Sequence, residues 1–298
     1  MQENNYLKSY LKLHFIVFIW GFTAVLGELI TVREASLVWY RMGLAGIFLA
    51  VFLIYKKQSF KLPLKSVAKL LLVGFLIAIH WIYFFKAINV SNVSITLAMF
   101  SMGSFFASIL EPIIYKRKML WYEVLFGLII IVGLFIIMQV EIKYLEGILY
   151  ALFSVFIGVL FTLFNGKLIQ QHDSTLITVY EFFAGFLFVS VYLLFEGKFK
   201  QQFFEISGRD WLLILVLSSI CTAYAFTASV QVMKRLSPYT VMLTTNLEPV
   251  YGILLAYFII GEDEKMSMPF YIGSVLILAT VILNGIIKNK IKGKKQQE

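Results

Sequence analysis

An all-α integral membrane protein, built from ten transmembrane helices in two inverted repeats of five, is the fold this sequence predicts. Three observations carry it. The 298 residues are 60% hydrophobic and 17% aromatic with only 14% charged, whereas soluble domains carry about 25% charged residues. Apolar stretches of about twenty residues recur ten times between polar turns, each long enough to cross ~30 Å of hydrocarbon at ~1.5 Å per residue. The two halves also share residues at constant offsets.

The polar head up to Lys12 leads into apolar sequence over residues 13–30. It reads as a retained first span, because Trp20, Glu28 and Leu29 stand where a leader would need small residues for cleavage. Further spans are expected at residues 35–55, 65–85, 91–115, 120–138, 145–165, 174–195, 210–233, 237–260 and 268–287. The lysine and arginine distribution orients them. With both termini in the cytoplasm, 18 of the 26 cations fall in inner segments and seven in outer ones, while Arg41 lies inside a span. That is the positive-inside pattern. The net charge of +9 is mostly this bias, so no nucleic-acid partner is called for. The basic tail suits contact with anionic lipid.

The ninth span is the most informative. Ser237 and Pro238 are a helix-start pair, a capping hydroxyl followed by a proline whose missing N–H is not needed. About eleven residues further on, ~16 Å into the span, stand Asn246, Glu248 and Pro249. A carboxylate near the midplane is expensive and a proline there frees a carbonyl, so both are expected to face protein or a water-filled cavity.

The repeat is read from matched residues. Gly27 with Leu29-Ile30 and Ala45-Gly46 match Gly166 with Leu168-Ile169 and Ala184-Gly185 at an offset of 139. Ser91, Gly103, Lys116 and Gly127 fall opposite Ser237, Pro249, Glu262 and Gly273 at an offset of 146. The boundary is placed between residues 1–139 and 140–298. Five spans is an odd number, so the halves must cross the membrane in opposite senses. In the inverted-repeat plan of secondary transporters the site lies near the midplane, between the halves.

Trp20-Gly21-Phe22, Tyr40-Arg41 and above all residues 236–262, with a proline, then Glu248-Pro249, then Gly261-Glu262, carry a resemblance to the ten-helix EamA-type transporters of the drug/metabolite transporter superfamily. The first half departs from that pattern, with the run Lys116-Arg117-Lys118 where a second Gly-Glu is usual and Pro112 displaced from the vicinity of Gly103. The resemblance implies transport of small organic solutes without ATP, commonly export of amino acids and related metabolites. An importer of a vitamin or nucleotide-like nutrient would use the same fold. A membrane-embedded transferase is the remote alternative, since the ionisable residues are scattered over different spans and the loops are short.

The candidate substrate-binding residues are Glu248, Asn246, His80, Tyr83, Trp20, Arg41 and Phe100. Glu248 can hold a cationic group or titrate with the substrate, as can Glu181. His80 and Tyr83, three apart, are expected on one helix face. Arg41 suits a substrate carboxylate, or an ion pair with Glu28. No catalytic residue, metal site or cofactor is expected: Cys221 stands alone in an apolar run and the three histidines lack ligand spacing. The expected partners are a small-molecule substrate, the lipid of a cell membrane, and a proton or counter-solute.

Overall fold

The computed structural model describes residues 2–32, 34–116, 118, 121–140 and 142–295. Arg33 and Arg117, two of the cations counted above, and Leu120, at the start of the fifth expected span, lie outside the described residues. So do the side chains of the tail lysines from Lys288 onward.

Among the described residues the structure is helical, without strands. The helices are α1 Gln2–Leu29, α2 Glu34–Tyr55, α3 Leu64–Val90, α4 Val93–Phe100, α5 Gly103–Tyr115, α6 Trp121–Val140 and α7 Leu145–Leu168. They continue as α8 Ser174–Phe195, α9 Gln201–Phe204, α10 Gly208–Val216, α11 Ala225–Val232, α12 Pro238–Thr245, α13 Glu248–Ile259 and α14 Met268–Lys295. Eight stretches of the described residues are long and apolar enough to cross a membrane: Tyr6–Leu29, Glu34–Tyr55, Leu64–Val90, Val93–Tyr115, Ile142–Leu168, Ser174–Phe195, Gly208–Val232 and Pro238–Ile259. Where the fifth and tenth spans are expected, α6 and α14 hold the shorter apolar stretches Leu128–Ile137 and Met268–Thr280.

Three of the long stretches depart from α-helix within their length. Residues 91–115 divide into α4 and α5, with Ser101 N–H donating to Ala98 O and Met102 N–H to Met99 O across the break. Residues 237–260 divide into α12 and α13, with Asn246 N–H donating to Leu243 O and Leu247 N–H to Thr244 O. Between α10 and α11, Leu217–Tyr224 winds as a π-helix, a geometry that is rare and concentrated at functional sites. The proline of Glu248-Pro249 accounts for one break, because it removes a donor at the start of α13. The break in the first half has no proline beside it; Pro112 lies well inside α5.

Elements of the first half pack mainly on elements of the second. α2 lies against α8, α3 against α7 and α8, α6 against α14, α1 against α11 and α13, and α4 against α7 and α13. The α3–α8 crossing is close enough to require small residues. A Cβ at Gly185 would lie 2.7 Å from Met42 Sδ and 2.8 Å from the Gly74 carbonyl, and one at Gly74 would meet the Ala184 Cβ at 2.7 Å. Such stripes let helix backbones approach where no hydrophobic force drives them together.

The two ends of the bundle are stapled differently. The turn after α13 pivots on Gly261 at φ +95°, a left-handed conformation suited to glycine. It delivers the buried Glu264, whose carboxylate accepts from Val93 N–H at 3.0 Å and Ser94 N–H at 2.9 Å at the start of α4. A carboxylate there meets both the unpaired donors and the positive helix end. The matching start of α12 is capped by its own Ser237, which accepts from Thr240 N–H at 3.2 Å.

Candidate transport cavity

α1, α2, α3, α4, α7, α11, α12 and α13 surround one internal space of about 830 Å³, its open mouth included. Two charged side chains look into it, Arg41 from α2 and Glu248 from the first turn of α13. Both are buried, at 2% and 6% exposure. Burying a charge is costly without partners, and the partners of Arg41 are specific. Its Nε donates to Thr222 Oγ1 at 2.7 Å and its guanidinium carbon sits 3.8 Å from the Trp81 ring centroid. Its Nη1 has no hydrogen-bond partner. Thr222 belongs to the π-helical segment and in turn donates to Leu217 O at 2.7 Å. The same segment leaves the Cys221 carbonyl to accept from Trp20 Nε1 at 3.2 Å. The π-helix therefore orients two wall residues at once, a cation and an indole.

Glu248 opens α13 immediately after the break, where the unpaired N–H groups of a new helix favour a carboxylate. Arg41 and Glu248 are close enough to interact electrostatically. Rings fill much of the remaining wall: Trp20, His80, Trp81, Phe84, Phe100 and Phe161, with Phe226 beyond them. His80 is fixed by two reciprocal bonds to α7. Its Nδ1 lies 2.7 Å from the Ser154 carbonyl and Ser154 Oγ donates to His80 O at 2.8 Å. A carbonyl only accepts, so Nδ1 carries the hydrogen. The ring rests over Gly158, where a Cβ would approach it to 3.0 Å, and edges onto Phe161 at 5.2 Å between centroids.

Of the residues singled out from the sequence, Glu248, His80, Trp20, Arg41 and Phe100 share this wall. Three do not. Tyr83 packs away from it, on Phe153 at 4.8 Å and Tyr150 at 5.5 Å between centroids. The cavity face of α3 is made by His80, Trp81 and Phe84. At ~100° per residue the centre of that face lies about 105° from Tyr83, so three-residue spacing from His80 alone does not put Tyr83 on the wall. Asn246 is buried at the break as the C-cap of α12, its N–H bonded to Leu243 O at 3.3 Å and its side-chain nitrogen unpartnered. Glu181 is fully buried behind the wall and reaches it only through Asn165, whose Nδ2 donates to Glu181 Oε2 at 3.3 Å.

Sequence reasoning missed Asn165, Thr222, Glu264 and Trp81. Nothing local marks them: each owes its role to a residue at least 16 positions away.

Residues 7–139 and 145–286 match the EamA-like transporter family. The chain belongs to that family. With its long apolar helices, it is a multi-pass membrane protein. A relative called "Uncharacterized transporter sll1164", from Synechocystis sp. (strain ATCC 27184 / PCC 6803 / Kazusa), is 23% identical over 224 residues, 71% of this chain and 63% of that protein. The chain thus spans less than two thirds of that relative's length. A solved structure, "Crystal structure of protein", shares the fold with a TM-score of 0.70 over 94% of this chain and 98% of that one, at 14% identity.

Proposed function

We propose that this EamA-like transporter exports an amino acid or a related aromatic amine across the cell membrane, by alternating access and without ATP. One observation carries the reading: Arg41, with an unpartnered guanidinium nitrogen, and Glu248 face a single cavity lined with aromatic rings. A zwitterion offers a carboxylate to the first and an ammonium to the second, and an aromatic side chain stacks on the remainder. Both charges are buried, so matched groups are worth more than in solution.

The architecture proposed is ten spans in two inverted repeats, residues 1–139 and 140–298, with α6 and α14 as the fifth and tenth. The cross-packing supports it, because α1 on α13 has its counterpart in α4 and α5 on α7. The two helix breaks support it too. An offset of 145, one residue less than the 146 read from the sequence, carries the Ala98–Ser101 and Met99–Met102 bonds onto Leu243–Asn246 and Thr244–Leu247. Broken helices meeting at the midplane are how such transporters build a site. The lysine and arginine bias supports cytoplasmic termini, and the family resemblance supports export.

The test is counterflow in proteoliposomes loaded with unlabelled L-phenylalanine or L-tryptophan. The reading expects transient uptake of the labelled amino acid, lost in Glu248→Gln. Equal uptake by wild type, Glu248→Gln and empty liposomes, for every amino acid tried, would overturn it.

A further inference from the structure

The two ring nitrogens of His80 have different surroundings. Nδ1 lies 2.7 Å from the Ser154 carbonyl and 3.1 Å from Ser154 Oγ, whose own hydrogen goes to His80 O at 2.8 Å. Both Ser154 oxygens are therefore acceptors toward Nδ1, and the ring is held as the tautomer with its hydrogen there. Nε2 is left as a bare lone pair. Among the described residues the ring makes its hydrogen bonds at Nδ1, while His80 lines the cavity.

The wall gives that lone pair no donor. Trp20 Nε1 donates to Cys221 O, and the hydroxyls of Thr162, Ser229 and Thr245 donate to Gly158 O, Phe226 O and Val241 O. What surrounds the imidazole is phenyl rings, those of Phe84, Phe100 and Phe161 at 6.4, 5.7 and 5.2 Å between centroids. A second proton on the ring would have no partner among them, and the carboxylate of Glu248 is within electrostatic reach of Arg41. A neutral acceptor thus stands in the aromatic part of the cavity, and its donor must come from what fills the cavity.

We propose that His80 Nε2 reads a hydrogen-bond donor on the cargo's ring, an indole N–H or a phenol O–H, so that the cavity prefers aromatic amino acids that carry one. The ring donor, and not the ammonium, is assigned to Nε2 because three phenyl rings mark this as the place where the apolar end of the cargo packs. Tied to Ser154 on both sides, the imidazole is already oriented, so little freedom is lost on binding. A site built around an acceptor discriminates against an isostere that leaves it unpaired. The aromatic amino acid in this scheme rests on the function proposed above, whereas the tautomer and its free lone pair do not.

Nitrogen-15 NMR of histidine-labelled protein reads the ring without any amino acid, with His14 and His172 separated by substitution. The expected spectrum shows His80 protonated on Nδ1 alone, with an Nε2 resonance that indole moves toward the protonated range and benzothiophene, the isostere without an N–H, does not. A ring protonated at Nε2, or an equal response to the two probes, would overturn the proposal. A second arm compares L-tryptophan with β-(3-benzothienyl)-L-alanine, in which sulfur replaces the indole N–H. The wild type should bind tryptophan about tenfold more tightly, and in His80→Phe the ratio of the two Kd values should fall to about one, whatever each affinity does separately. Equal affinities in the wild type, which needs no variant to fold, or a preference that His80→Phe keeps, contradict the proposal. So does an Nε2 resonance that both amino acids move alike, since the nitrogen would then be reading the ammonium. Failure of every amino acid to bind, with the response to indole intact, sinks the cargo reading and leaves the ring-donor site standing.

Discussion

The two broken helices, α4–α5 and α12–α13, share a backbone and differ in chemistry. In each, two successive N–H groups bond to carbonyls three residues back, at Ser101 and Met102 and again at Asn246 and Leu247. The side chains placed by this shared turn are unlike. Phe100 stands where the second half has Thr245, and Gly103 opens α5 where Glu248 opens α13. Three of these four, Phe100, Thr245 and Glu248, face the cavity directly. One break therefore contributes a ring and the other a charge. A pseudo-symmetric frame can hold an asymmetric molecule, because the backbone repeats while its side chains do not. The helix starts are also unlike, since Glu264 clamps α4 from another element and α12 is capped by its own Ser237.

The largest effect that would break this comparison belongs to Glu248. Replacing it by Gln keeps the shape and removes the charge, and cargo affinity is expected to fall about 100-fold, or ~2.7 kcal/mol, read by equilibrium binding. Next comes the clamp on α4. Glu264→Gln keeps at most one of the two bonds, as a neutral one, because its amide nitrogen cannot accept from Val93 or Ser94 N–H, and we expect about 1.5–2 kcal/mol of stability to go, read as a fall in Tm in detergent. The corresponding cap on α12 is local and neutral, so Ser237→Ala should cost only about 1 kcal/mol. If Ser237→Ala lowers Tm more than Glu264→Gln, the ends are not stapled as described. Phe100→Leu removes a ring edge but no charge and should weaken an aromatic cargo by about threefold. Tyr83→Phe should change affinity by less than about 0.5 kcal/mol, because its ring faces Tyr150 and Phe153 and not the cavity.

The sequence disclosed these features unequally, and the reasons are physical. Hydrophobic runs of membrane length are set by the bilayer itself, so the positions of the long helices were legible, closely for residues 35–55 against Glu34–Tyr55 and 174–195 against Ser174–Phe195, and with ends several residues off for 13–30 against Gln2–Leu29 and 65–85 against Leu64–Val90. The α12–α13 break was legible through Pro249 and its neighbours. The α4–α5 break was not, because Ser101-Met102 carries no proline to announce it. Depth along a span pointed to Glu248, His80 and Arg41. It said nothing of which way a helix is turned, and Tyr83 fell on the wrong face. The π-helix at Leu217–Tyr224 left no sequence mark at all. Its consequences, the Arg41–Thr222 bond and the Trp20–Cys221 bond, join residues 181 and 201 positions apart, and no local pattern encodes such pairs.

The most direct measurement of the paired-charge cavity is a thermal-shift comparison of L-phenylalanine with phenethylamine and 3-phenylpropionate, each of which lacks one of its two charges. A ligand that binds only the folded protein raises Tm by mass action. The amino acid should bind at least about tenfold more tightly than either analogue, a difference of ~1.4 kcal/mol. In Glu248→Gln that advantage over 3-phenylpropionate should vanish, while the advantage over phenethylamine remains because Arg41 is intact. Three ligands of equal affinity, or an advantage that survives Glu248→Gln unchanged, would contradict the account.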